Sequence, residues 1–470
     1  MASQALTQIV VEELHKVHSK VTHFLDTSPC NYELITKWLQ NPKLRTDNQW
    51  VVIEEVAMFE FFQEAINFEL LLDNLKPCYS TCPQKAFEAL THNPEFFEGI
   101  ESFDALEKTL EVCTETLEVS GTQVILICRL LEYCINTYPE KTLPLFLNKQ
   151  TWLGLLYHIN CSFVQHFLHF KVVSNQELPI HVKNTLSEEL LPKVLEKLLW
   201  FIELEINLEG TAEFLSQLIT EALTNPTPTV DELNQKPFFP CNSASLFNLL
   251  FVRYGKLLVK RILNASFKHP KQFSEVKYQY LDILVSILQS LRQGALSCMR
   301  SELTSLLSPE VTQELQKEVT HFKPPTHSKS IALNTYTVQN PINLFALNTI
   351  RVLTYTLELK PNLAGTLETS CWTKLFNWVF AFKNNGMLCS LIKRLGTVFI
   401  NNSSEHTLKE VFINQKILEK ALKTTSEEAS PGEKDLHWCL NNLMQELKLY
   451  TKSHSDTFTQ EVLNYLNCTS

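Results

Sequence analysis

Residues 103–139 read FDALEKTLEVCTETLEVSGTQVILICRLLEYCINTYP, and their pattern decides the fold. Leu106, Leu110, Cys113 and Leu117 step by 4, 3 and 4, which is one face of an α-helix. Ser120-Gly121-Thr122 interrupts that face, residues 123–138 resume it, and Pro139 opens a new segment. Similar amphipathic blocks separated by short polar turns follow along the rest of the chain, without a strict repeat consensus.

Towards the N-terminus, Leu6, Val10, Leu14, Val17, Val21 and Phe24 keep the same spacing. Ser28-Pro29-Cys30-Asn31 ends that helix, and Asn31 is placed to cap the next, over 32–39. Further helices are expected over 51–66, 68–75, 188–207, 212–223, 244–266, 276–291 and 309–322. Ser308-Pro309-Glu310 is a start signal, with a capping serine, proline at the first helical position and an acid in the first turn. Proline-rich loops fall at 225–229 and 236–240, and a polar connector at 424–432. The longest irregular stretch begins at Lys323-Pro324-Pro325 and reaches about Asn340. Helical blocks of the same character resume at Ile342, so it reads as a loop inside one array, and residues 1–470 read as a single domain.

Only ten of the 470 residues are glycine. Glycine takes positive φ without a Cβ penalty and is the usual material of phosphate loops and tight hairpins. The 44% hydrophobic content is ample for a packed core. The formal net charge of −10 argues against sequence-independent nucleic-acid binding, which needs clustered Lys and Arg. No window reaches roughly 18 uninterrupted apolar residues, so no membrane span is expected. Residues 1–25 lack the apolar core of a signal peptide. The thirteen cysteines sit mostly in apolar helical blocks and read as reduced, buried side chains. A cytoplasmic location is expected, with the nucleus second.

Helices of about 10–20 residues with short turns fit an all-α, HEAT/armadillo-like helical-repeat solenoid; at roughly 40–47 residues per helix pair the chain would hold about ten or eleven. A large irregular bundle is the runner-up.

Chemical motifs are sparse. His158, Cys161, His166 and His169 are metal-ligand types, but on one helix His158 and His169 would lie about 16 Å apart. Each neighbouring pair would need ligands from elsewhere, so the cluster reads as amphipathic helix surface. Cys78 and Cys82 lie in a proline-containing turn without a matching second pair. No phosphate loop, nucleophile elbow or metalloprotease helix appears, and the chain reads as noncatalytic, without cofactor or metal. Arg253, Lys256, Lys260 and Arg261 form a basic stripe, either a solvated face or a contact for an acidic partner. Trp372, Phe376 and Phe380 recur at helical spacing and read as core. Trp378 falls elsewhere on the wheel, where it would be exposed and able to anchor a partner.

The order of segments resembles the SAPS family, regulatory subunits of phosphatases of the protein phosphatase 6 type. Asn348-Thr349-Ile350-Arg351, after the Pro324-Pro325 loop, is similar to the family's LN-x-IR-L segment. Phe376 to Leu388, with Asn384-Asn385, resembles its aromatic run ending in Asn-Asn. Residues 411–422 (VFINQKILEKAL) resemble a family helix, and 435–447 sit where another follows a polar insertion. Thr137 to Leu147 and His158-Ile159 with Ser162 resemble its Lys-Pro-Glu-Gln and HIGTSA segments, which makes the histidine cluster an inter-helix turn. Asn160 replaces the family's glycine there, and asparagine is next best at positive φ. The family's Trp-Leu-Asn-Glu helix start is here only Leu186 to Glu189. Its acidic or disordered tail has no counterpart before Ser470.

The resemblance implies a noncatalytic scaffold that binds a serine/threonine phosphatase catalytic subunit of the protein phosphatase 6 type, with ankyrin-repeat subunits as further partners. The residues it would place at the contact are Asn348, Arg351, Asn384 and Asn385. Local capping and helix–helix hydrogen bonding are the competing roles for each. Another α-solenoid adaptor, for transport or complex assembly, is the alternative function.

Overall fold

A computed structural model of the chain describes residues 103–104, 106–108, 121–147, 149–175, 177–224, 246–268, 274–322, 331–332, 337–338, 342–426, 433–454 and 457–467. The expected helices within residues 1–102, the Asn31 cap, the Cys78/Cys82 turn, most of 103–119 and the proline loops at 225–229 and 236–240 lie outside these. The described residues are mostly helical. By its contacts the chain divides into two compact units, residues 1–201 with 237–245 and residues 202–236 with 246–470.

In the first unit, α1 (Gly121–Thr137) begins at the glycine of the expected separator and buries Val124, Cys128, Leu131 and Ile135. Pro139 opens α2 (Pro139–Leu147), where Thr142 returns its hydroxyl to the Tyr138 carbonyl at 2.8 Å. α3 (Lys149–Tyr157) leads into a turn at 158–161, then α4 (Ser162–His166) and a π-helical turn (Phe167–Val173). Buried Gln165 closes that turn by donating to the Ile159 carbonyl at 2.9 Å. The inter-helix turn is therefore where the sequence places it, but Asn160 is not among the residues with positive φ, so no left-handed residue is needed there. The expected 188–207 helix begins earlier. α5 (Ile180–Thr185) passes through a π turn (Leu186–Leu190) into α6 (Leu191–Leu204). It stops where Glu205 and Asn207 turn left-handed, at φ 62° and 49°.

The first helix lying wholly in the second unit is α7 (Leu208–Thr224). The expected helix over 244–266 is broken: a π turn (Asn248–Arg253) ends at Tyr254, and α8 (Gly255–Lys268) starts after it. α9 (Ser274–Gln293) ends in a glycine cap. Gly294 takes φ 90°, and the Ala295 N–H reaches back to the Ser290 carbonyl at 3.0 Å. α10 (Arg300–Ser305) and α11 (Pro309–His321) follow. Pro309 and Glu310 sit as expected, but the Ser308 hydroxyl makes no cap bond to the backbone. It bonds the Glu310 carboxylate instead, holding that group below the usual carboxylate range.

Within the 323–340 stretch, β1 (Ile331–Ala332) and β2 (Thr337–Val338) pair antiparallel, Ile331 opposite Val338. α12 (Leu344–Leu359) is capped by Asn343, which accepts from the Ala346 N–H at 2.7 Å. A 3₁₀ turn (Pro361–Thr366), α13 (Thr369–Ala381) and α14 (Gly386–Asn402) come next. The expected helix over 411–422 is two pieces. α15 (Glu405–Lys409) runs into a π turn (Glu410–Asn414), Lys416 turns left-handed at φ 56°, and α16 (Ile417–Ser426) begins afresh. α17 (Lys434–Ser453) and α18 (Thr457–Asn467) complete it.

Helices pack in parallel at matched positions. On α11 and the elements after α12, Thr312 meets Thr366, Gln316 meets Glu368 and Thr320 meets Lys374, at separations of 54, 52 and 54 residues. On α15 and α18, Glu405 meets Phe458 and Lys409 meets Glu461, 53 and 52 residues apart. α9 and α12 pair at 66, and the 323–340 stretch lies in that interval. α14 lies along α17, with Gly386 against Asp435 and Gly396 against Leu443. α12 touches α9, α11 and α14 and is buried nearly all round, its apolar faces against these neighbours and its one polar stripe paired across them. Each fully buried Leu, Val or Phe contributes about 1.5–3 kcal/mol by leaving water.

Candidate functional site

The most organised polar feature of the second unit is a seam along α9, α12 and α14. It arises because α12 carries Asn348, Arg351, Tyr355 and Glu358 at steps of 3, 4 and 3, one stripe on an otherwise apolar helix. α9 offers Asp282, Gln289 and Arg292 at the same pitch, and parallel packing sets the two rows in register.

At one end Asn348, 2% exposed, donates from Nδ2 to Asp282 Oδ1 at 3.1 Å. Its own Oδ1 accepts from Arg351 Nη1 at 3.1 Å. In the middle, Tyr355 donates to Gln289 Oε1 at 3.3 Å. At the far end one carboxylate holds two guanidinium groups. Arg292 Nε lies 2.6 Å from Glu358 Oε2, and Arg394 on α14 makes a two-pronged pair to Glu358 at 2.7 and 2.5 Å. The Arg394 guanidinium also covers the Tyr355 ring, 4.8 Å from its centroid. Hydrogen bonding to Glu358 holds the Arg394 pKa above its ordinary value. A fork–fork pair of this kind is directional as well as attractive. The seam ties three helices together and leaves Arg351 and Asp282 half-buried at its open end.

The four residues expected at the contact fall in two places. Asn348 and Arg351 share the seam. Asn384 and Asn385 form the turn before α14, where Asn385 caps the helix by accepting from the Leu388 N–H at 2.8 Å. The two places connect through α14, whose Arg394 is nine residues on from Asn385, about 13.5 Å along the axis. Asn385 thus caps locally and Asn348 bonds across to α9, and Arg351 is the more accessible of the seam pair. The sequence reading missed Asp282, Glu358 and Arg394. The i, i+4, i+7 run of Arg351, Tyr355 and Glu358 was the available signal, but their partners lie 36 to 66 residues away.

Trp378 differs from expectation. It is 3% exposed, edge-on to Phe322 at 4.9 Å and also against Phe382, so it is core and not an exposed anchor. The chain leaving α11 supplies Phe322 and covers the wheel position that looked open. Trp372 and Phe376 are core as expected, grouped with Phe399 and Phe412, whereas Phe380, expected with them, is only half-buried. An apolar crevice between α13, α16 and α17 is lined by Phe376, Val379, Phe412, Ile417 and Leu443 and carries no charged group.

His158 lies in the turn, His166 and His169 on the helix beyond it, each ring packing on Phe170. Burial lowers the His158 pKa. Among the described residues, no three His, Cys, Asp or Glu are grouped to hold a metal ion, and no helix is long and apolar enough to cross a membrane. The seven described cysteines are free thiols. Burial pushes Cys371 and Cys389 up to about 12 and raises Cys128, Cys134 and Cys439 as well. In the basic stripe, Arg261 is paired with Glu203 at 2.6 Å, while Arg253, Lys256 and Lys260 are exposed.

No family model, curated protein or solved structure matches the chain.

Proposed function

We propose that the chain is a noncatalytic scaffold of HEAT/armadillo-like helical repeats that binds a serine/threonine phosphatase catalytic subunit of the protein phosphatase 6 type and directs its activity. The observation that carries the scaffold reading is the parallel, in-register packing at separations of 52 to 54 residues, longer than the roughly 40–47 expected for HEAT or armadillo pairs. Helices that pair this way stack successive helix–turn–helix units, each contacting its neighbours, and present a continuous surface for partners. The phosphatase partner is carried by the SAPS resemblance alone, in which Asn348 and Arg351 are two of the matching positions. On this reading Arg351, at the open end of the seam, is the first contact to test, with Asn348 holding its guanidinium in place. An adaptor for transport or complex assembly would use the same stacking with a different partner.

Affinity purification of the tagged full chain, followed by mass spectrometry, tests the reading. A phosphatase catalytic chain should co-purify and should be depleted by R351E. An eluate without any phosphatase catalytic chain overturns the phosphatase reading and leaves the adaptor.

A further inference from the structure

Between Glu232 and Glu275 the chain contains no acidic residue, yet it carries Lys236, Arg253, Lys256, Lys260, Arg261, Lys268 and Lys271. That is a long cationic block in a chain of formal net charge −10. The structure gathers its centre onto one face. Val252 and Arg253 end the π turn, and Lys256, Leu257 and Lys260 follow on α8 at spacings of three to four residues. All five are exposed, with the two apolar side chains at 43% and 40%. Arg261 next to them is neutralised by Glu203. Arg253, Lys256 and Lys260 make no ion pair with a described residue. Gly255 lies against Leu303 of α10 and Met299 just before it, on the face of α8 away from this stripe.

We propose that the stripe Val252–Lys260 is a docking surface for an acidic amphipathic segment of a partner protein. Three cations outside any ion pair, Arg253 lying over the Tyr254 ring at 5.3 Å, spread over about 10 Å, the rise of seven helical residues, and match carboxylates at helical i, i+4 spacing on the partner. Val252 and Leu257 lie among them and supply the apolar contact that a purely solvated face lacks. An anionic membrane is the poorer fit, since only three cations outside ion pairs gather on this face, fewer than the four to eight that surface adsorption draws on, and the remainder of this chain is strongly acidic. Nucleic acid is disfavoured on the same count, each neutralised phosphate needing its own cation. The proposal does not depend on which enzyme, if any, the scaffold binds.

The test uses the full chain and a fluorescent peptide of roughly three helical turns, with Glu at i, i+4 positions around leucines. Anisotropy should report binding that weakens as salt rises, because the attraction is screened. K256E/K260E should weaken it about tenfold, each reversal turning an attraction into a repulsion. V252S/L257S should weaken it several-fold with an unchanged salt slope. Both variants alter exposed positions, so their melting temperatures should stay with the parent. The idea is overturned if a peptide with Lys in place of Glu binds equally well, if K256E/K260E binds like the parent while still folded, or if vesicles rich in phosphatidylserine or duplex DNA bind in preference to the peptide.

Discussion

Glu358 shows what one side chain can hold in this molecule. It neutralises Arg292 from α9 and Arg394 from α14 while belonging to α12, and its side chain is only 16% exposed. E358Q removes the negative charge from both guanidinium groups, and urea denaturation should show a loss of about 2 kcal/mol, the range for hydrogen bonds to charged groups. K317A, which breaks the exposed Lys317–Glu314 pair at 2.7 Å, should change stability by about 0.5 kcal/mol or less. The buried thiols give a pH prediction. Unfolded thiols ionise near 9.0, while Cys371 and Cys389 keep their protons to about 12. Their folded pKa is raised, so their contribution is complete below pH 9 and is lost as pH rises towards 12. At pH 8, alkylation of the native chain should label exposed Cys298 and spare Cys371 and Cys389 until urea is added, read peptide by peptide. Labelling of all three at one rate would contradict their burial.

At the level of elements, glycine matters where helices touch. Gly386 and Gly396 both face α17, yet they differ in what a Cβ would meet. At Gly386 it would meet the tip of Asp435, an exposed side chain that can swing away. At Gly396 it would overlap buried Leu443, with Phe376 close behind. G396A should therefore destabilise by about 1–3 kcal/mol, and G386A should be close to neutral, in the same urea series. Lys416 is the opposite case, a side chain at φ 56° where α16 restarts. K416G should raise stability by about 0.5–1 kcal/mol, because an L-residue is strained in the left-handed region. No gain would mean that Lys416 is held there by contacts worth as much as the strain. The break itself was not legible: VFINQKILEKAL has the apolar spacing of a single helix, and nothing local marks Lys416 as the residue that turns.

Across the second unit, protection should follow the helix packing. α12 is enclosed by α9, α11 and α14, while α18 packs on α15 and α17 near the end of the described chain. Hydrogen exchange should be slowest at 346–357 and faster in α18, since local opening is easiest where least surface is buried. Uniform exchange across both would show a unit that opens only as a whole. Helical class, most of the helices within the described residues, the Pro139 and Pro309 starts and the free buried thiols follow from sequence alone. They rest on backbone geometry and 3.6-residue periodicity, which act over a few neighbouring residues. Partners needed the tertiary structure. Trp378 is core because Phe322 happens to cover it, and Asn348 bonds Asp282 because two parallel helices meet 66 residues apart in the chain. A helix's sequence records which stripe avoids water; which other stripe covers it is decided by contacts between segments far apart in the chain, and no local pattern encodes them.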